Sequence, residues 1–230
     1  MDQKVIWDYY QGEETSVFSN AAPRLTFLVK SAIKLSSPPK GKKVLNIGVG
    51  GGFLEQYAAT QGFIPFSLDP SEIAIQKLEQ KGLKGKVGYV QDIPYEDQVF
   101  DFVFCSEVLE HLNDDALNSG LREIGRVLTK TGYLIGTVPY SETLSANHVI
   151  CPCCNTKFHK WGHEQSFDKA AMRDLLQRYN FKILKLETYS FQGFARKDLK
   201  GKVRALGAEL LGRLGVSIAS PNLFFIAQKK

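Results

Sequence analysis

The stretch Lys43-Val-Leu-Asn-Ile-Gly-Val-Gly-Gly-Gly52 decides the fold of this chain. Its first half is a short apolar run typical of a buried strand, and its glycines can adopt backbone angles closed to other residues. Residues 53–61 then have a helical pattern that ends at Gly62. The helix N-terminus offers backbone N–H groups to an anionic or polar ligand group. The spacing is G-x-G-x-G, because Phe53 stands where dinucleotide-binding loops have a third glycine.

Apolar strand segments and helical segments alternate outward from this turn. The alternation predicts an α/β fold in which a parallel sheet is covered by helices on both faces. A polar stretch at about residues 141–165 interrupts the alternation and has the composition of an insertion. Residues 1–40 precede the first strand and are expected to form a helical cover, so that residues 41–230 make the main domain. The predicted strands are 43–47, 63–68, 86–91, 99–105, 133–138, 181–188 and 223–228.

Composition and charge exclude several classes of protein. The chain has 230 residues, is 43% hydrophobic and carries a net charge of +5, and it lacks the run of ~20 apolar residues that a membrane span needs. Its first twenty residues have no apolar signal region, so we expect a cytoplasmic protein. Residues 194–230 hold eight Lys or Arg and two acids, and the rest of the chain is close to neutral. A nucleic-acid partner, which would need a basic face along the domain, is therefore disfavoured.

The basic residues of the C-terminal region fall on a predicted amphipathic helix at Lys197–Leu214. A charged helical face usually needs no partner, so we interpret this one as solvated. The disfavoured alternatives are that the helix binds a phosphorylated or lipid-linked acceptor or an anionic membrane surface.

Two acids end the second and third predicted strands, next to the glycine turn. Asp69 can accept hydrogen bonds from both hydroxyls of a ribose. Asp92 can accept one from an adenine amino group, with the Ile93 side chain packing on the ring. Each acid alone is more simply a helix cap or turn residue. The glycine turn and the two acids, which follow three successive strands, together favour a nucleoside site.

At this point the chain resembles the class I S-adenosylmethionine-dependent methyltransferases of the small-molecule, type 11 kind. The resemblance covers about residues 40–140 closely and implies a Rossmann-like, seven-stranded, mostly parallel sheet with an antiparallel last strand. The matching segments are Val44–Gly52, Phe66–Pro70, Val90–Pro94, Phe100–Leu112 and Leu121–Gly132. The cofactor-binding residues that it implies are Asn46, Gly48, Gly50, Gly52, Asp69, Asp92, Ile93, Cys105 and Ser106. One departure is Asn46, where the family usually has an acid that orders the glycine turn.

The resemblance implies transfer of a methyl group from S-adenosylmethionine to a small-molecule, glycan-like or lipid-linked acceptor, with oxygen the favoured acceptor atom. The alternatives are an RNA or protein methyltransferase and a cofactor-binding scaffold without activity. His111 and Glu107 are the candidate catalytic residues, because they follow the fourth strand and can share one helical face. The simpler interpretation is that His111 packs below the cofactor and that Glu107 is an acid in the first turn of a helix.

The insertion contains a cluster of cysteines and histidines. Cys151 and Cys154 have C-x2-C spacing, and His159 and His163 have H-x3-H spacing. Two thiolates and two imidazoles can form a closed tetrahedral zinc site, which would order a segment too small for a core of its own. We therefore expect one structural zinc ion here, against the alternative of reduced surface thiols with unrelated histidines.

Overall fold

The computed structural model describes residues 5, 8–9, 16–36, 38–191 and 221–230. The predicted basic helix Lys197–Leu214 lies outside the described residues. The described strands are β1 Lys43–Ile47, β2 Ile64–Asp69, β3 Lys84–Val87, β4 Phe100–Ser106, β5 Leu128–Pro139, β6 His148–Ile150, β7 Lys157–His159, β8 Phe181–Tyr189 and β9 Asn222–Lys229. Seven of them form one sheet in the order β3-β2-β1-β4-β5-β9-β8, and β6 and β7 form a separate two-stranded sheet.

The first five strands of the large sheet pair in parallel, and β9 runs antiparallel between β5 and β8. The predicted seven-stranded, mostly parallel sheet with an antiparallel last strand is therefore confirmed. Parallel strands end at the same edge of the sheet, and β1, β2 and β4 are neighbours there. This arrangement places the glycine turn after β1 between the residues that follow β2 and β4.

Helices cover both faces of the sheet, as the unbroken apolar runs of its central strands require. Alternate residues of β4 point to opposite faces: Phe102 and Phe104 pack with the first two helices, and Val103 and Cys105 pack with the last two. A short 3-10 helix, Ser16–Ala21, leads directly into the first helix. The described α-helices are α1 Ala22–Leu35, α2 Phe53–Thr60, α3 Glu72–Glu79, α4 Asp114–Val127 and α5 Lys169–Arg178.

The third strand is shorter than the sequence pattern predicts, and it ends at Val87 rather than Gln91. After Gly88 the chain reverses in a turn closed by a hydrogen bond from the Asp92 N–H to the Tyr89 carbonyl at 3.1 Å. The turn brings Pro94 back onto Gly88, where a Cβ atom would lie 3.2 Å from the proline ring. Residues 89–91 therefore belong to a loop beside the carboxyl edge of the sheet.

Arg126, in the last turn of α4, holds this loop in place. Its guanidinium donates to the carbonyls of Ile93 and Tyr95, each at 2.8 Å, and to the carboxylates of Glu123 and Asp97 at 2.7 Å. Glu123 also accepts the Ile93 N–H at 2.9 Å. The planar fork of arginine matches this set of acceptors, which a lysine ammonium cannot reproduce.

We expect Arg126→Gln to lower the free energy of unfolding by about 2 kcal/mol, since it removes several partly exposed charge-assisted hydrogen bonds. Urea denaturation measures this change. The control is Arg122→Gln on the same helix, because Arg122 is exposed and lies over the ring of Tyr179. Equal stability losses in the two variants would contradict the role given to Arg126.

Within the described ranges, none of the helices combines the length and the hydropathy that crossing a bilayer requires.

Candidate active site

The glycine turn between β1 and α2 depends on left-handed backbone angles. Gly48, Gly50 and Gly52 have φ of +84°, +54° and +74°, which other residues adopt at a cost of about 1–2 kcal/mol each. At Gly50 a Cβ atom would also lie 3.2 Å from the ring of Phe18. The G-x-G-x-G spacing therefore follows from the path of the backbone.

Asp69 ends β2 and holds the glycine turn from the neighbouring strand. Its Oδ2 accepts the Val49 N–H at 2.8 Å, and its Oδ1 accepts the Ser71 N–H at 2.9 Å. Burial raises the pKa of this carboxyl, and the two N–H donors act in the opposite direction. Each oxygen has a second lone pair, so Asp69 can also accept hydrogen bonds from the hydroxyls of a ligand.

Asn46 lies beneath the turn in a buried polar cluster. Its Nδ2 donates to Glu55 Oε1 at 2.8 Å and to the Gly48 carbonyl at 3.1 Å. The hydroxyl of Ser67 donates to the same Glu55 oxygen at 2.7 Å. Burial raises the pKa of Glu55, against the effect of the hydrogen bonds from Asn46 and Ser67. The acid of this cluster is therefore Glu55, and position 46 supplies the amide group that donates to it.

A cavity of about 630 Å³ runs from the glycine turn past the end of β4 to the insertion. This volume is in the range of small-molecule sites, which is roughly 300–1,000 Å³. Its walls come from the strand ends, from the N-terminal helices and from the insertion. Among the residues that line it are Phe18, Arg24, Leu25, Gly48, Gly50, Phe53, Asp69, Tyr89, Gln91, Ser106, Glu107, Val108, Glu110, His111, Leu112, Trp161 and His163.

Four of the nine residues expected to bind the cofactor line this cavity, namely Gly48, Gly50, Asp69 and Ser106. Gly52 and Asn46 shape the turn from outside the cavity wall. Cys105 points into the core, where burial raises the pKa of its thiol.

Asp92 and Ile93, the residues expected to contact adenine, are not among the residues that line the cavity. Asp92 is exposed, and Ile93 is buried in the core. The early end of β3 is the physical reason, because the turn that follows presents Tyr89, Val90 and Gln91 to the cavity instead. The loop residues 89–91 therefore line the cavity, whereas Asp92 and Ile93 do not, and the adenine contact stays a prediction.

Ser106 and Glu107, at the end of β4, are tied to three other elements. The Ser106 hydroxyl accepts from Arg24 Nε at 3.1 Å and lies 2.9 Å from Thr137 Oγ1. Glu107 has a left-handed φ of +57°, which is uncommon for a residue with a side chain and is characteristic of functional sites. Both of its carboxylate oxygens accept from Asn222 Nδ2 at 3.0 Å. Glu107 therefore faces the cavity in a fixed orientation.

Glu110 and His111 form the buried polar end of the cavity. Burial, reinforced by the charge of Glu107, raises the pKa of Glu110 well above its ordinary value. Burial lowers the pKa of His111 to about 3, so its imidazole is neutral at neutral pH. His111 Nδ1 lies 3.3 Å from the Gly162 carbonyl. Both predicted catalytic residues, His111 and Glu107, thus lie on the cavity wall.

The insertion leaves and rejoins the sheet at one place. Tyr140 pairs with Phe167 in an isolated bridge, and the Ser141 N–H donates to the Phe167 carbonyl at 2.8 Å. On its return the chain docks below the cavity, where the N–H groups of Glu164 and Gln165 both donate to the Glu110 carbonyl, at 2.7 and 3.0 Å. The insertion therefore contributes one wall of the cavity.

The cysteines lie in the loop of the β6–β7 hairpin. Asn155, with a φ of +57°, donates its N–H to the Cys151 carbonyl at 2.9 Å and closes the loop. Cys153 and Cys154 are exposed. Hydrogen bonds of Thr156, followed by one with Cys151, lower the pKa of the Cys154 thiol.

The structure divides the predicted zinc ligands between two places. His159 and His163 meet Glu142, and His163 also meets Glu110 and His111; in each group the ligand atoms lie within 4.8 Å of one another. Across the described part of the chain, neither group of this kind includes a cysteine. The reason is the hairpin, which carries the thiols to its tip and leaves the imidazoles at its base.

Glu142 is a site residue that the sequence analysis missed. It accepts from His163 Nδ1 at 2.5 Å and from Asn147 Nδ2 at 2.7 Å, and its Oε1 lies 3.3 Å from His159 Nε2. Burial acts to raise the pKa of Glu142, but the contacts with His163 and Asn147 outweigh it and hold the pKa below the usual value. Glu142 precedes His163 by 21 positions, so no local spacing could have indicated the pair.

Comparison with protein families identifies a methyltransferase domain over residues 19–186. A mitochondrial ubiquinone biosynthesis O-methyltransferase of Schizosaccharomyces pombe is 30% identical over 141 residues, which are 56% of this chain and 51% of that protein. One from Pelagibacter ubique is 26% identical over 176 residues, 72% of this chain and 70% of that protein. The chain thus spans about half the length of the first of these relatives.

Solved structures share the fold. A 1,6-didemethyltoxoflavin-N1-methyltransferase of Burkholderia thailandensis, with 1,6-didemethyltoxoflavin and S-adenosylhomocysteine bound, superposes with a TM-score of 0.69 at 16% identity, over 99% of this chain and 87% of that one. The PH0226 protein of Pyrococcus horikoshii has a TM-score of 0.63 at 17% identity, over 94% and 93%. The family match covers well over half of the chain and agrees with the glycine turn, the strand order and the cavity. The chain belongs to the class I S-adenosylmethionine-dependent methyltransferases.

Proposed function

We propose that the chain transfers a methyl group from S-adenosylmethionine to a hydroxyl group of a small, largely apolar acceptor. One observation carries the proposal: a single cavity joins the glycine turn and Asp69 to a polar end formed by Glu110, His111 and His163. Between them the walls are mainly apolar, with side chains such as Leu25, Val108 and Trp161. The relatives named as O-methyltransferases support oxygen as the acceptor atom.

The residues of the glycine turn fit a bound S-adenosylmethionine. Gly48 and Gly50 face the cavity without side chains, and a Cβ atom at Gly48 would lie 3.0 Å from Val108. Asp69 has carboxylate lone pairs beyond those used by Val49 and Ser71, and these can receive ribose hydroxyls. The loop residues Tyr89, Val90 and Gln91 flank the same part of the cavity.

The cofactor, when bound, supplies a methyl group on a positively charged sulfur. The acceptor oxygen forms a bond to the methyl carbon as the carbon–sulfur bond breaks, the electron pair of that bond stays on sulfur, and the hydroxyl proton passes to solvent. Because the methyl group is already activated, the protein mainly has to align the acceptor and exclude water. The apolar walls perform that task, and the polar end of the cavity receives the hydroxyl.

Methyl transfer should be detected as S-adenosylhomocysteine formed from S-adenosylmethionine in the presence of a panel of hydroxylated small molecules. Mass spectrometry of the products identifies the methylated atom. The matched control is Asp69→Asn, which keeps the size of the side chain and weakens the expected ribose contact. Binding of S-adenosylhomocysteine without turnover on the panel or on a low-molecular-mass cell extract would overturn the proposal in favour of a scaffold. Label transferred to protein or RNA would replace it with the macromolecular alternative.

A further inference from the structure

The carboxylate of Glu110 is the most unusual polar group of the cavity. The residue is 1% exposed, and neither of its side-chain oxygens has a hydrogen-bond partner in the described structure. An unpaired buried carboxyl group costs several kcal/mol, because it has given up its hydration without compensation. Such a group is retained where something absent from the polypeptide completes it.

Two imidazoles stand beside this carboxylate. His111 Nε2 lies 4.0 Å from Glu110 Oε1, and the rings of His111 and His163 have centroids 4.6 Å apart. The ligand atoms of Glu110, His111 and His163 all lie within 4.8 Å of one another. Two metal–ligand bonds of about 2.0–2.2 Å span up to about 4.4 Å, so one ion between the three side chains needs only small adjustments.

Each imidazole is oriented by its other nitrogen. His111 Nδ1 bonds to the Gly162 carbonyl, and His163 Nδ1 bonds to the Glu142 carboxylate. Both partners only accept, so each Nδ1 donates to its partner, and Nε2 is the candidate ligand atom of each ring. A backbone carbonyl and a carboxylate are the partners that metal-bound histidines ordinarily have.

We propose that Glu110, His111 and His163 bind one divalent transition-metal ion of the zinc type at the polar end of the cavity. All three residues line the cavity, so the ion keeps a coordination position that opens toward the acceptor. Two histidines and one carboxylate with an open position form a known catalytic ligand set. Two nitrogen ligands disfavour Mg²⁺ and Ca²⁺, which prefer oxygen.

The neighbouring group of Glu142, His159 and His163 is a poorer candidate. Glu142 is already engaged by His163 Nδ1 and Asn147 Nδ2. His159 Nδ1 accepts the N–H groups of Trp161 and His163 at 3.3 and 3.1 Å, so the proton of its neutral ring is on Nε2, the atom that faces Glu142. Glu142 therefore acts as an outer partner that orients a ligand.

The ion gives the polar end of the cavity a chemical role that rests on the proposed function. A bound cation lowers the pKa of a hydroxyl that coordinates it. The acceptor oxygen would then lose its proton to solvent on binding and meet the methyl carbon as an anion. The binding of the metal itself does not depend on this role.

Metal binding can be measured without any acceptor. The folded protein is stripped with chelator, titrated with Zn²⁺ or Co²⁺, and analysed for bound metal and for cobalt absorption. We expect Glu110→Gln and His163→Ala to lose the cavity ion and Glu142→Gln to weaken it by about 10–100-fold. The matched control is Cys151→Ser combined with Cys154→Ser, which should retain one ion with a nitrogen and oxygen spectrum. Binding of S-adenosylhomocysteine verifies the fold of each variant.

Two outcomes would overturn the inference. One is a stripped wild-type protein that binds neither Zn²⁺ nor Co²⁺ in the micromolar range or below. The other is a single ion that is lost in the cysteine variant and kept in Glu110→Gln and His163→Ala. If methyl transfer fails on every acceptor while the ion binds as expected, the proposed function is wrong and the metal site stands.

Discussion

Replacing Asp69 by asparagine is expected to weaken the binding of S-adenosylhomocysteine about 10–100-fold. The carboxylate accepts the N–H groups of Val49 and Ser71 and has lone pairs left for ribose hydroxyls. The asparagine amide has an NH2 donor in place of one acceptor oxygen of the carboxylate. This donor would face either a backbone N–H or a ribose hydroxyl, and the hydrogen bond to that group would be lost. A hydrogen bond to a charged group contributes about 1.5–3 kcal/mol, which corresponds to this range of affinity. Isothermal titration calorimetry measures the change.

Asp92→Asn is the matched control, since it makes the same change in the loop that follows the neighbouring strand β3. Asp92 is exposed and does not line the cavity, so the variant should bind S-adenosylhomocysteine like the wild type. An equal loss at Asp92 would restore the adenine contact to the position predicted from the sequence. Unchanged binding in Asp69→Asn would remove Asp69 from the ribose site.

Asn46→Asp, although it introduces the residue usual in the related family, is expected to lower the free energy of unfolding by about 3 kcal/mol. Position 46 donates to Glu55 at 2.8 Å in a fully buried cluster, and an aspartate there would place two carboxyl groups against each other without a donor between them. Glu55→Gln in addition should recover most of the loss, because the glutamine amide can donate to the carboxylate introduced at position 46. Urea denaturation of the single and double variants measures the effect.

The pH dependence of stability provides a second measurement on the same cluster. Burial raises the pKa of Glu55 in the folded state above its unfolded value, so the folded state favours the protonated form. The contribution of Glu55 to stability is therefore fully present below the unfolded pKa of about 4.3 and is lost as the pH rises through the folded pKa. Asn46→Asp should steepen this loss, and Glu55→Gln should flatten it. A variant Asn46→Asp that is as stable as the wild type across this range would contradict the account of the cluster.

The parts of the molecule that the sequence predicted are those built from local signals. The run Lys43–Ile47 and the glycines directly after it are contiguous, and an apolar run and a glycine turn each have one dominant structural use. The alternation of strands and helices then predicted a parallel sheet with helices on both faces. The predicted end of β3 was wrong. The apolar pattern through Val90 continues across a turn, and this turn forms only when Pro94 packs back on Gly88.

The polar end of the cavity could not be predicted in the same way. Spacing placed His159 near His163, and the centroids of the two rings are 4.6 Å apart. It gave no indication of Glu142, whose contact with His163 depends on the insertion closing at Tyr140 and Phe167. Spacing along the chain also suggested that the thiols and the imidazoles share one site. Sharing a site requires closeness in three dimensions, which spacing along the chain does not determine. The hairpin of β6 and β7 carries the thiols to its tip instead.

The way in which the insertion begins and ends at the Tyr140–Phe167 bridge has an evolutionary consequence. A segment whose two ends are adjacent can be lengthened, shortened or exchanged with little effect on the rest of the fold, because loop closure adds only about 0.6 kcal/mol per doubling of length. In the proposed site the strand ends hold the nucleoside, whereas Trp161 and His163 reach the cavity from this replaceable segment. Under the proposed function, new acceptor preferences can therefore be acquired by grafting one stretch of about 25 residues between fixed anchors, while the methyl donor continues to be held as before.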